Sequence, residues 1–182
     1  MDGKKILVGI TGGIAAYKVC SLVNMLISKK TVVRVVMTES AKKFITPLTF
    51  QSLTNQPVYD DLWNPLDPFF IEHISISHWP DIIVIAPATA NTIGKIANGL
   101  ADNLLTTIIS ASLPDIKIIL CPAMNSNMWN NPMFQKNLKT LKDTTKFLIV
   151  EPRSGVLACR DNGIGKIADN DEIIKEIEKI LL

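Results

Sequence analysis

Cysteine is scarce in this chain, and what there is excludes two kinds of scaffold. Cys20, Cys121 and Cys159 are odd in number and widely spaced, with no CxxC pair and no adjoining histidine, so neither a disulfide framework nor a zinc site is expected. Free thiols in a reducing compartment are the expectation, and no metal. Long hydrophobic runs are missing too. The apolar runs at 6–10, 32–37, 82–86 and 116–120 fall far short of the roughly 20 residues that span a bilayer. The five-residue run after Met1-Asp2-Gly3-Lys4-Lys5 is too short for the core of a signal peptide. The chain is therefore expected to be cytoplasmic, with no membrane partner. An excess of one charge is also lacking. Nineteen Lys and Arg stand against seventeen Asp and Glu, for a net charge of +2. No basic cluster is interleaved with aromatics as a nucleic-acid surface would require, so no nucleic-acid partner is expected.

What is present is 182 residues, 47% of them hydrophobic, which is a length suited to one compact domain over 1–182 with a sizeable core. Lys4 to Ile10 reads as a buried strand that runs into a tight turn at Thr11-Gly12-Gly13. Ile14, Ala15, Val19, Leu22, Val23 and Leu26 then recur at helical spacing through about residue 29. Val32 to Met37 forms a β-branched strand, and Thr38-Glu39-Ser40 starts a helix. Residues 46–70 hold Pro47, Pro57, Pro65 and Pro68 and read as a short helix followed by an irregular surface excursion. Asp81 to Ala86 and Ile116 to Leu120 are continuous apolar runs, as in strands covered on both faces. Helices are predicted over 91–98 and 102–112, with Asn91 and Asp102 as caps, and over 131–141. A strand over 147–150, a Gly-rich loop and a final helix over 171–182 complete the chain. This alternation predicts an α/β domain with a doubly wound, flavodoxin- or Rossmann-like parallel sheet and helices on both faces.

In such sheets ligands bind beyond the carboxyl ends of the strands. Those ends are Thr11-Gly12-Gly13, Thr38-Glu39-Ser40, Pro87 to Asn91 and Pro122 to Asn125. Small residues allow close approach of a ligand, and hydroxyls and helix-start N–H groups suit phosphate oxygens. Any one of them alone could be a plain turn or a cap; four in one sheet point to an anionic ligand. A nicotinamide dinucleotide is disfavoured. Its GxGxxG fingerprint is replaced by Gly9, Gly12 and Gly13, and hydroxyl-bearing Thr38 follows the second strand where a ribose-binding acid would be wanted. Glu39 could be argued into that role, but a mononucleotide held by the first turn and Ser40 fits the spacing better.

Gly12-Gly13-Ile14-Ala15-Ala16-Tyr17-Lys18, His73-Ile74, Trp79, Ala86 to Thr92, Gly99 with Ala101 to Leu105, Pro122-Ala123-Met124-Asn125 with Met128-Trp129, and Leu157-Ala158-Cys159 follow one another along the chain. In this succession the chain resembles the flavin-dependent cysteine decarboxylase family from about residue 4 to residue 170. The Pro-Ala-Met-Asn and Ala-Cys elements are similar to its phosphopantothenoylcysteine decarboxylase branch. The resemblance implies bound FMN, held by Gly12, Gly13, Ile14, Thr38, Ser40, Ala88, Thr89, Ala90, Asn91 and Ala123. It implies 4′-phosphopantothenoylcysteine as the substrate, contacted by Met124, Asn125 and Ala158, with His73 and Cys159 catalytic. It also implies a homotrimer, or a dodecamer built of trimers, with flavin at a subunit interface. A stand-alone decarboxylase is expected, since no residues remain for the synthetase domain of many bacterial homologues.

Each of these residues also has a plainer reading. A lone histidine is more often structural, and His78 is as good a candidate as His73 by composition; the resemblance selects His73, and His78 is assigned to packing or surface. An imidazole can exchange a proton near neutral pH. Asn125, after a strand, is by itself a turn residue or cap. The resemblance gives it the substrate carboxylate, which an uncharged amide can position without a strong ion pair opposing its loss. Met124, Met128 and Trp129 could be apolar walls or core. Cys159 lies between Gly155 and Gly163 with Arg153, Arg160 and Asp161 nearby, which suggests a mobile flap in which positive charge favours thiolate. Cys20 and Cys121 look buried and inert. Arg160 stands where relatives usually have Gly.

The implied chemistry is oxidation of the substrate thiol by flavin to a thioaldehyde, loss of carbon dioxide to an enethiolate, and protonation by Cys159 as hydride returns, giving 4′-phosphopantetheine for coenzyme A biosynthesis. Rival readings are a peptidyl-cysteine decarboxylase, which would normally lack the flap cysteine, and a prenyl-flavin-forming transferase, which lacks the Pro-Ala-Met-Asn turn. A third is a non-catalytic flavin-binding regulatory subunit, whose long acidic extensions are not found in this sequence.

Overall fold

Strands buried on both faces need apolar side chains at every position, and those of this chain divide by parity between two cores. Ile6, Val8 and Ile10 pack with Ile82, Val84, Ala86, Ile119 and Cys121 on one side. Leu7, Ile83, Ile85, Ile118 and Leu120 pack on the other. The structure is a computed structural model that describes residues 1–64 and 71–181. Its main sheet has six parallel strands in the order β3-β2-β1-β4-β5-β6. In chain order these are β1 Lys5–Ile10, β2 Val32–Met37, β3 Val58–Tyr59, β4 Ile82–Ala88, β5 Lys117–Pro122 and β6 Phe147–Ile149. This is the Rossmann order, and it reverses between β1 and β4, where a crevice is expected.

Helices cover both faces. α1 (Ala16–Ser28) presents Ala16, Val19, Leu22, Val23 and Leu26 to the first core, and each of these Val and Leu side chains contributes about 1.5–3 kcal/mol on full burial. α2 (Glu39–Lys42) and α3 (Pro47–Thr54) place Ala41 and Phe50 in the same core. α9 (Asn170–Leu181) adds Ile173, Ile174 and Ile177. The second core is covered by α4 (Glu72–His78), α5 (Ala90–Ala97), α6 (Leu104–Ala111), α7 (Ser126–Trp129) and α8 (Pro132–Lys142). Trp79, at the end of α4, stacks against the Arg34 guanidinium of β2 at 4.3 Å from the ring centre.

Several boundaries depart from expectation for physical reasons. The cap of α5 is Thr89, whose hydroxyl accepts from Thr92 N at 3.3 Å, so Asn91 lies inside the helix. The cap of α6 is Asn103, reciprocally bonded to Thr106 in a capping box. The expected cap Asp102 instead pairs with Lys95 Nζ at 2.6 Å, and this bond holds its carboxyl below the usual range. Thr38 caps α2, leaving Ser40 within that helix. Beyond α3, the expected excursion contains the edge strand β3, and α4 follows; its remainder over 65–70, and the predicted extension of the last helix to residue 182, lie outside the described residues. The polar segment after Pro122 contains α7. The predicted Gly-rich loop is a two-stranded antiparallel hairpin, β7 (Arg153–Val156) and β8 (Asn162–Lys166).

Candidate functional site

The carboxyl ends of β1 and β4 are tied by one buried hydroxyl. Thr11 Oγ1 donates to the Pro87 carbonyl at 2.5 Å and accepts from Thr89 N at 3.1 Å. Gly12 follows, and its lack of a side chain has a steric cause. A Cβ at Gly12 would lie 2.3 Å from Ser40 Cβ, so the turn after β1 can sit against the start of α2 only as glycine. The Ser40 hydroxyl makes no hydrogen bond among the described residues and is exposed. The first turn of α1 carries no acidic side chain and no side-chain cap; its own N–H groups donate to the Gly13, Ile14 and Ala15 carbonyls, and the N–H groups of Gly13, Ile14 and Ala15 just before it are the ones without a partner among the described residues and open to an anion. α5 starts beside it, behind Thr89.

A cavity of about 880 Å³ opens over this floor, within the size range of cofactor sites. Of the residues named from the sequence, Gly12, Gly13, Ile14, Thr38, Ser40, Thr89, Ala90, Asn91, Ala123, Met124, Asn125, Ala158 and Cys159 all line it. Ala88 does not. It is fully buried at the end of β4, where its carbonyl accepts from Ala123 N. His73 does not line it either; it is half-buried on α4, while His78 at that helix's end is exposed.

Asn125 lines the same cavity, just beyond β5. Its Oδ1 caps α7 by accepting from Asn127 N at 2.8 Å, which orients the amide and leaves the NH2 end to donate. That end donates to Cys159 Sγ at 3.4 Å. The hairpin carrying Cys159 is docked on the same segment. Met124 N donates to the Gly165 carbonyl at 3.0 Å, and Ser126 Oγ to the Ile164 carbonyl at 2.8 Å. A Cβ on Gly165 would fall 2.0 Å from the Met124 carbonyl oxygen, so this contact needs glycine. At the tip, Leu157 N donates to the Asp161 carbonyl and Arg160 N to that of Leu157. Arg160 closes the turn at φ 69°, a conformation that favours glycine.

The three thiols differ sharply. Cys121 is fully buried, and burial pushes its thiol far up. Cys20, expected to be buried, is only partly so, though burial raises it too. Cys159 is exposed. The charged group bonded to its sulfur is the carboxylate of Asp161, to which Sγ donates at 3.3 Å, rather than the cationic neighbour expected. Lys18, Lys95, Lys166, Glu39 and Asp102 also line the cavity. Lys166 and Gly165 were missed because they belong to the unpredicted hairpin; Gly155, Gly163 and Gly165 were the available signal, as turn and close-contact residues.

The sequence pattern of the Flavoprotein family matches residues 1–182. The chain belongs to the Flavoprotein family. Among its relatives is the coenzyme A biosynthesis bifunctional protein CoaBC of Bacillus subtilis, 41% identical over 179 residues, covering 98% of this chain and 43% of that protein. The chain thus spans less than half the length of such two-part relatives. A protein of Streptococcus mutans, named a probable phosphopantothenoylcysteine decarboxylase, is 42% identical over 98% of this chain and 99% of its own length. Among solved structures, a cysteine-to-serine variant of a PPC decarboxylase, complexed with pantothenoylaminoethenethiol, is 34% identical with a TM-score of 0.85 over 98% of both chains. As in other members of the Flavoprotein family, a flavin is the cofactor. No helix among the described residues is long and apolar enough to cross a membrane.

Proposed function

We propose that this chain is an FMN-dependent decarboxylase that converts 4′-phosphopantothenoylcysteine to 4′-phosphopantetheine in coenzyme A biosynthesis. The observation that carries the reading is the meeting of a preset amide donor and a thiol, Asn125 and Cys159, 3.4 Å apart in a cavity whose floor suits a phosphate. The floor fits FMN in particular: no Cβ at Gly12 or Gly13, a free Ser40 hydroxyl, and the starts of α1 and α5 together offer room, donors and positive helix ends. Ile14, Met124 and Met128 supply apolar surface for a flat ring. The Streptococcus mutans relative named a probable phosphopantothenoylcysteine decarboxylase supports the substrate, and the Bacillus subtilis one named for coenzyme A biosynthesis supports the pathway.

Bound flavin would supply a reversible two-electron oxidation at the substrate's cysteinyl sulfur, which makes loss of carbon dioxide easy. The chain's own residues do the rest. Asn125 holds the carboxylate with its NH2 end, displacing Cys159 Sγ from that donor. Being uncharged, it does not stabilise the departing group as an ion pair would. Cys159 then delivers its proton to the carbon that has lost carbon dioxide. Ala158 and Met124 shape the space beside them.

His73 enters this scheme only through a second copy of the chain, since it is outside the cavity formed by one copy. A homotrimer, alone or as four in a dodecamer, would provide it, and Ile14 and Tyr17, 56% and 58% exposed at the cavity rim, supply apolar surface for such a contact. A cytoplasmic site of action suits the free thiols. Purified protein should carry a yellow chromophore and remove carbon dioxide from 4′-phosphopantothenoylcysteine, read by mass spectrometry. No mass loss would refute the reading. Cys159→Ser should still release carbon dioxide but cut saturated product by about 100-fold or more, leaving the enethiol; full conversion by that variant would refute Cys159 as the proton donor. A monomer by light scattering that still turns over would remove the shared site.

A further inference from the structure

Both hydrogen-bonding capacities of the Cys159 sulfur are taken. It accepts from Asn125 Nδ2 at 3.4 Å and donates to Asp161 Oδ2 at 3.3 Å. Asp161 holds the tip of the hairpin twice. Its carbonyl accepts from Leu157 N at 2.9 Å, closing the turn, while its side chain folds back to the thiol two residues away. No other partner takes that carboxylate among the described residues.

We infer that Asp161 is a positioning residue, whose carboxylate sets the direction of the Cys159 S–H bond before the proton is used. The inference rests on the proposed decarboxylation, in which Cys159 is the acid. A thiol has one proton to give, and its donor direction is free to rotate unless an acceptor defines it. Here Asp161 defines it on the flap side, and Asn125 places the sulfur on the cavity side. When substrate carboxylate takes Asn125, the sulfur loses one anchor and keeps the other. The S–H then turns about the C–S bond from Asp161 to the substrate carbon and delivers its proton: the S–H bond breaks, a C–H bond forms, and sulfur regains a proton from water. In the interval the sulfur and the Asp161 carboxylate are like charges side by side, which favours return of a proton to the sulfur.

The test uses the full-length holoprotein and two variants. In Asp161→Ala the ratio of enethiol to saturated product should rise by about tenfold or more, because proton delivery is one general-acid step worth roughly that or more. Asp161→Asn keeps an oxygen acceptor at the same place, and its ratio should stay within about threefold of the parent. A parent-like ratio in Asp161→Ala, or an alanine-like ratio in Asp161→Asn, would overturn the assignment. A second readout needs no turnover: iodoacetamide labelling at neutral pH, followed residue by residue by peptide mass spectrometry, with Cys20 as internal control. Cys159 in Asp161→Ala should label about threefold faster or more, since removing a neighbouring negative charge favours the attacking thiolate; an unchanged rate would overturn the contact. If the parent protein consumes no substrate, the proposed decarboxylation fails, and labelling alone decides whether Asp161 governs this thiol. Flavin absorbance of each variant checks that the fold is kept.

Discussion

The floor of the cavity and the hairpin that hangs over it are built by opposite means. In the floor, Ile10, Ala86, Ala88 and Cys121 are fully buried, parallel ladders run through every strand, and Thr11 bridges β1 to the turn after β4. In the hairpin, Val156 is 71% exposed, Arg160 is held in a glycine-like conformation, and few bonds reach the rest of the molecule. Its base is clamped by Arg153, which pairs with Asp169 and lies 4.0 Å from Glu172. Segments with few buried contacts open at low cost while the rest stays folded. A tightly held floor suits a cofactor that stays, and a weakly held flap suits a substrate that must enter and leave.

That contrast can be broken by three substitutions of falling effect. Gly12→Ala should be the most damaging, because the new methyl would press on Ser40 and overpacking of this kind costs about 1–3 kcal/mol. Urea denaturation should show the loss and flavin absorbance should fall; parent-like values for both would show that the floor yields. Arg160→Gly acts in the other direction, removing about 1–2 kcal/mol of strain at φ 69° against about 0.5–1 kcal/mol for the conformational freedom that glycine loses, so that the hairpin gains about 1 kcal/mol or less. Slower amide exchange over 153–166 would show it, while faster exchange there would mean that the Arg160 side chain is itself holding the tip. Arg153→Ala should have the smallest effect, about 0–1 kcal/mol, as expected for an ion pair on the surface. Limited proteolysis should then cut the hairpin sooner with the denaturation midpoint nearly unmoved, and a large midpoint shift would merge flap and floor into one cooperative unit.

The same division separates what could be read in the sequence from what could not. β1, β4 and β5 were legible because burial on both faces demands unbroken apolar runs. β3 has two residues, β7 is mostly exposed, and the inner residues of β8 are Gly163, Ile164 and Gly165, so neither a long run nor an alternating pattern marks them. The caps of α5 and α6 were misplaced by one or two residues because neighbouring side chains compete for the role. Thr89 and Asn103 win by reaching N–H groups three residues on, while Asp102 is taken by Lys95. His73 was named by resemblance, and one chain leaves it away from the cavity because α4 packs against the face of α6.

By itself the sequence determined the strand–helix alternation, and with it the crevice where the strand order reverses, because apolar runs and glycine turns act locally. Gly12 and Ser40 belong to that part. The tertiary structure alone decided that Asn125, 34 residues from Cys159, would meet its sulfur, and that Asp161 would accept from it. That meeting depends on β8 lying on the Met124 backbone through Gly165, and a backbone-to-backbone docking across such a separation leaves only glycines in one segment, which mark a close approach but not its partner.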